Sequence, residues 1–90
     1  MNKTIITVIG NDTIGIIAKV CTYFAENQVN ILDISQTIIQ GYFNMMMIVD
    51  TAKLEKPYSE FVAEITSIGQ GLGVQVKCQR AEIFDKMHRI

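Results

Sequence analysis

Ninety residues with a formal net charge of −1 set the size at one domain, and the absence of any basic cluster excludes the cationic surface that nucleic acid needs. Hydrophobic residues make up 49% of the chain and mean hydropathy is +0.25, high for this length, so the excess must be buried, and self-association is one place for it. No apolar stretch nears the roughly 20 residues that cross a bilayer, Met1–Thr4 leads into a strand rather than an apolar leader, and Cys21 and Cys78, inside periodic patterns, read as reduced buried thiols of a cytoplasmic protein.

The first predicted element is a strand, Lys3 to Gly10, with apolar residues on both faces at Ile5, Ile6, Val8 and Ile9, as a central strand requires. From about Thr13 the period becomes helical. Ile14, Ile17, Ala18, Cys21, Phe24 and Ala25 form the predicted core stripe, with Lys19, Glu26 and Asn27 facing water. Ile16, Val20 and Tyr23 form a flanking strip, either a widening of the core face or a contact for a second subunit. The helix ends near Asn27-Gln28. A second strand runs from Asn30 to Gln40, with Leu32, Ile34 and Ile38 pointing one way and Asp33, Ser35 and Thr37 the other; Ile31 and Ile39 close off the polar side at its ends. Gly41-Tyr42 is the expected hairpin connection, since glycine supplies positive φ.

The third strand, Phe43 to Asp50, is largely apolar on both faces and therefore central: Phe43, Met45, Met47 and Val49 on one side, Tyr42, Asn44, Met46 and Ile48 on the other. Thr51 to Pro57 is a polar, solvated connector carrying Lys53, Glu55 and Lys56, and Pro57 suits a helix start. Tyr58, Phe61, Val62, Ile65, Ile68 and Gly69 give a second helical stripe, with Glu60 and Glu64 outside it. Gly69, Gly71 and Gly73 close that helix, one of them in the left-handed conformation. Val74, Val76 and Cys78 alternate with Gln75, Lys77 and Gln79 as an edge strand with one wet face. Ala81 to Ile90 reads as a short terminal helix carrying Ile83, Phe84 and Met87.

The order β-α-β-β-α-β is the split βαβ of ferredoxin-like folds, an α/β (α+β) sandwich in which right-handed crossovers place two helices on one face of a four-stranded antiparallel sheet. The first and third strands take the middle. Met46 and Ile48 then lie on the face without helices, an apolar surface that argues for an oligomer.

Gly10-Asn11-Asp12-Thr13-Ile14-Gly15 joins the first strand to the first helix. Such a turn leaves helical N–H groups unpartnered beside the positive end of the helix dipole, a place for a carboxylate or phosphate. Asp12 is a natural N-cap. Gly10 and Gly15 leave the main chain bare, for a ligand or for a neighbouring strand.

This turn, continued into Ile16, resembles the first turn of ACT domains, small amino-acid-sensing regulatory modules. Phe24-Ala25-Glu26-Asn27-Gln28-Val29-Asn30-Ile31, Asp33-Ile34-Ser35-Gln36 and Phe43-Asn44-Met45-Met46-Met47 continue the likeness, which covers about residues 3 to 80. The chain looks closest to a bacterial and archaeal group of stand-alone ACT proteins with a similar Met87-His88-Arg89-Ile90 ending, and is also similar to the ACT repeats of glycine cleavage regulators. The resemblance implies a side-by-side dimer with second strands joined, and effector sites at that interface. Carried over by residue, Asn11, Asp12, Gly15 and Ile16 match the turn and Asn30 the start of a neighbouring second strand. Thr13-Ile14 stands where the commoner pattern has Arg-Pro, so the turn is expected to be looser.

Beside that implication stand plainer roles: Asp12 as a cap alone, Asn11 as a turn residue, Asn30 as a strand start and Gly15 as a packing glycine. His88 and Asp85 are too few for a zinc site, and no nucleophile or acid–base dyad stands out. The expectation is a non-catalytic regulatory module without a cofactor. It binds a small effector, an amino acid, at a homodimer or tetramer interface and signals to a separate protein. The alternative is a protein-interaction module with no small ligand, its apolar sheet face docking a partner.

Overall fold

The computed structural model describes residues 2–11 and 14–80. Elements follow in the predicted order: β1 (Lys3–Gly10), α1 (Ile14–Glu26), β2 (Asn30–Ile39), β3 (Tyr42–Asp50), α2 (Tyr58–Gly71) and β4 (Gln75–Arg80). The sheet order is β2-β3-β1-β4 with antiparallel neighbours throughout, so the two strands with apolar residues on both faces do lie inside. Asp12, Thr13 and the expected terminal helix 81–90, with His88, fall outside the described residues.

One face of the sheet carries the core. Ile6 and Val8 of β1 and Phe43, Met45, Met47 and Val49 of β3 are buried beneath the two helices. Phe61, Ile65 and Gly69 are the buried side of α2, the stripe its sequence spacing predicts. In α1 the outcome differs. Ile16, Val20, Tyr23 and Phe24 are buried, whereas Ala18 and Ala25 are exposed and Cys21 half-buried. The strip expected to flank the core is therefore its centre and is not available to a second subunit. Both strips satisfy a helical period, but turning isoleucine, valine and tyrosine inward removes more apolar area from water than turning alanines inward, at about 25 cal/mol per Å².

Three chain reversals fix the register. Val74 N–H donates to the Gly69 carbonyl (2.9 Å) and Gly73 N–H to the Gln70 carbonyl (3.1 Å), a Schellman closure of α2 with Gly73 at φ +73°. At the end of α1 the same left-handed position is taken by Gln28 (φ 58°), with Val29 N–H donating to the Phe24 carbonyl at 2.9 Å. The β2–β3 hairpin turns at Gln40-Gly41, both with positive φ (51° and 83°), not at Gly41-Tyr42; Tyr42 already pairs with Ile39. Two consecutive positive φ values define the type I′ turn that matches strand twist.

β2 departs from simple alternation. A bulge between Ile31 and Asp33 leaves Leu32 without a partner, and Ile31 pairs with Val49 on the helix side rather than joining the polar side. Beyond it Ile34, Gln36 and Ile38 oppose Met47, Met45 and Phe43, while Asp33, Ser35, Thr37 and Ile39 oppose Ile48, Met46, Asn44 and Tyr42. The helices do not reach this edge: Ile38 is 71% exposed and Ile34 40% although both lie on the helix side.

Candidate functional site

The turn between β1 and α1 is built on two glycines with different reasons to be bare. Gly10 ends β1 opposite Phe43. A Cβ on it would collide with Cγ1 of Val74, so Gly10 is explained by close packing against the segment leading into β4. Gly15, in the first turn of α1, has room: the nearest atom to a Cβ there is Leu72 Cδ2, at 4.0 Å. Among the described residues no packing requirement accounts for glycine at that position. Asn11, directly after β1, is exposed. Ile16 is 1% exposed, its side chain part of the core, so the group it can offer a ligand is its backbone N–H.

Asn30 is at the opposite end of the sheet. It pairs with Asp50, which pairs with Lys3, while Gly10 pairs with Phe43 and through it with Ile38. Lys3 to Gly10 is seven steps along an extended strand, about 24 Å. Asn11, at the end of β1, and Gly15 and Ile16, at the start of α1, thus belong to one end of the sheet by chain order, and Asn30 to the other. Asp12 lies outside the described residues.

A polar constellation that the sequence did not disclose ties α1 to α2. Tyr23 Oη donates to Glu64 Oε1 at 2.7 Å, and Lys56 Nζ donates to the same oxygen at 2.6 Å. Lys56 also lies 5.8 Å from the centre of the Tyr23 ring. The connector lysine expected to be merely solvated is thus drawn onto the helices. Burial, and then the hydrogen bond and negative charge of Glu64, hold the Tyr23 phenol well above its ordinary value. The Lys56 hydrogen bond first and the Tyr23 bond second hold the Glu64 carboxyl below the usual carboxylate range. Tyr23 and Glu64 are 41 residues apart, a separation that carries no local sequence signal. The Tyr23 ring packs against Phe24 and Phe61, with centroids at 6.2 and 5.9 Å. The cluster therefore joins helices rather than presenting a reactive group.

A groove of about 460 Å³ runs along the outer side of α1, lined by Ala18, Lys19, Thr22, Tyr23, Glu26 and Ile68, none of them an expected site residue. Among the described residues no three His, Cys, Asp or Glu side chains meet to hold a metal ion, and no helix is long and apolar enough to cross a membrane.

Comparison with known proteins agrees with this architecture. The ACT domain family model matches residues 2–79. A UPF0237 protein of Bifidobacterium longum is 61% identical over 90 residues, covering 100% of both chains. The solved ACT domain protein from Streptococcus pneumoniae superposes with a TM-score of 0.81 at 41% identity, covering 92% of this chain and 93% of that one. A formyltetrahydrofolate deformylase from Pseudomonas syringae pv. tomato shares the fold at a TM-score of 0.80 and 20% identity, over 90% of this chain and 28% of its own.

Proposed function

This chain belongs to the ACT domain family, and from that premise we propose that it is a non-catalytic regulatory module that binds an amino acid between two copies of itself and signals to a separate protein. The observation that carries the reading is the separation of the Gly15 turn from Asn30 along the sheet, combined with the state of β2 between them. Apart from Ile31, β2 is exposed along its length, and it is an edge.

The hairpin geometry identifies which backbone groups on that edge point away from β3, the Ile34 N–H among them donating to Asp33 Oδ1 at 2.9 Å. In a two-residue hairpin the residues flanking the turn, Ile39 and Tyr42, exchange backbone hydrogen bonds, and pairs alternate from there. Ile34, Gln36 and Ile38 therefore direct their backbone groups outward. A second copy, antiparallel across this edge about a twofold axis near Gln36, would pair with them and cover the exposed Ile34 and Ile38 side chains. The same antiparallel arrangement carries the partner's Asn30 to the end of the sheet where the Gly15 turn lies. The effector carboxylate would then meet the first-turn amides of α1, and its ammonium would meet Asp12 or the partner's Asn30. Binding is regulatory if the effector prefers one relative orientation of the two copies over another.

Titration calorimetry against the twenty amino acids tests the reading. One or a few are expected to bind saturably, with Asp12→Ala and Asn30→Ala each weakening binding at least tenfold. Absence of heat across the panel, or binding indifferent to both substitutions, overturns it.

A further inference from the structure

We propose that the effector is an aliphatic amino acid whose side chain lies in an uncharged trough between α1 and β2. The proposal rests on the reading above, in which the first-turn amides of α1 and Asp12 or the partner's Asn30 hold the effector's two poles. The trough specifies the remaining substituent, its side chain.

Topology fixes where the trough lies. α1 crosses from β1 to β2 over β3, the strand between them, and α2 crosses from β3 to β4 over β1. α1 is therefore the helix beside the β2 border. Contacts identify its sides. Val20 and Phe24 face the core. Tyr23 bonds to Glu64 of α2, and Lys19 and Glu26 share the outer groove with Ile68 of α2. Among the described side chains, helical spacing leaves Ile17 and Cys21, both half-buried, for the flank away from α2. On β2 the side chains on the helix side are Ile34, Gln36 and Ile38, and Ile38 is the most exposed large apolar side chain described. Ile38 opposes Phe43, which opposes Gly10, so it shares a cross-strand row with the residue that leads into the turn, two strand spacings or about 10 Å away. Ile17 lies in the first turn of α1. Both isoleucines thus belong to the end of the sheet where the first-turn amides are.

The distribution of charge decides what fits. Neither flank offers a carboxylate, an amine or a guanidinium: Lys19 and Glu26 are on the α2 side of α1, and Asp33, the charged residue of β2, opposes Ile48 on the other face of the sheet. A charged effector side chain would lose its water there and meet no opposite charge. An aliphatic one gains about fourfold in affinity for each methylene it removes from water. Gln36, the polar member of the row, stands two residues from Ile38, about 7 Å. Pairing of two copies does not fill the trough. About the axis near Gln36 the partner's Ile34 pairs with Ile38, and directly opposed side chains on adjacent strands stand side by side on one face. The partner's Ile34 widens the aliphatic wall and does not cap it.

Titration calorimetry across graded side chains tests the proposal. Affinity is expected to climb from glycine through alanine and valine to leucine or isoleucine, by about fourfold per methylene. Aspartate, glutamate, lysine and arginine should bind at least a hundredfold more weakly than the best aliphatic amino acid. Ile38→Ser should lower the leucine-to-alanine affinity ratio at least tenfold, while Ile38→Leu keeps it within threefold of the parent, with circular dichroism confirming that each variant folds. Both affinities are read on one variant, so weaker pairing of copies lowers them alike and leaves the ratio unmoved. Ile17→Ala, away from the pairing edge, should lower the same ratio at least threefold and decides the matter if Ile38→Ser no longer binds either amino acid. A charged, polar or aromatic amino acid that binds best, and still depends on Asp12 or Asn30, overturns this proposal and leaves the regulatory reading standing. A ratio indifferent to both isoleucine substitutions overturns it as well. Absence of heat across the whole panel overturns the regulatory reading and this proposal with it.

Discussion

Gly10 and Gly15 look alike in sequence and differ in what surrounds them. Alanine at position 10 has to displace Val74, an overpacking that costs about 1–3 kcal/mol and should lower the urea midpoint accordingly. Alanine at position 15 has space and improves a helical position, so it should raise stability by about 0.5–1 kcal/mol. If the first-turn amides receive an effector, the same Gly15→Ala substitution weakens its binding while strengthening the fold, and the opposed readouts separate a ligand role from a structural one. Cys78 gives a pH dependence. Burial pushes its thiol from 9.0 up to about 11, so the unfolded chain releases that proton first. Its stabilising contribution is complete below the unfolded value and is lost as pH rises toward 11. Urea midpoints of the parent should therefore fall more steeply between pH 8 and 10 than those of Cys78→Val; equal slopes would remove the assignment.

Among the elements, β2 makes the sharpest prediction. Proline is tolerated at an edge position whose N–H points away from the sheet. Gln36→Pro should therefore preserve the folded monomer while abolishing edge pairing, whereas proline at neighbouring Ser35, whose N–H faces β3, should unfold the hairpin. Circular dichroism and sedimentation together distinguish the two. Element order was readable from the sequence because period and punctuation agreed: alternation in the strands, a helical stripe in α2, glycine at two of the three reversals that needed positive φ. The buried side of α1 was not readable, because isoleucines, alanines and a cysteine make that helix apolar in more than one direction, and only the sheet beneath decides which direction is inward. The hairpin was misplaced by one residue because glycine marks one of the two positive-φ positions in a type I′ turn, and Gln40 occupies the other without advertising it. Gln28 is equally silent at the end of α1.

For the molecule as a whole, association couples to stability by mass action. The thermal midpoint should rise with protein concentration, and by less in Gln36→Pro; a midpoint independent of concentration across two decades would argue for a self-sufficient single chain. The candidate site was only partly legible for a reason at this scale. The turn residues are contiguous, so the sequence could group them, but the place of Asn30 depends on sheet register and on what lies across an edge. The Tyr23–Glu64–Lys56 bonds likewise arise only once two helices lie side by side. The bulge at Leu32 bears on growth. Among the described residues the sheet ends at two borders, β2 and β4, and a border that could accept its opposite without limit would propagate into a fibre. Leu32 interrupts the regular run of β2 after seven residues, 33 to 39, and adds local twist. A neighbour added at β2 would have only that stretch to pair with, so the kink blunts the edge against indefinite strand addition. Deleting Leu32 would leave every other cross-strand partner in register and lengthen the flat edge.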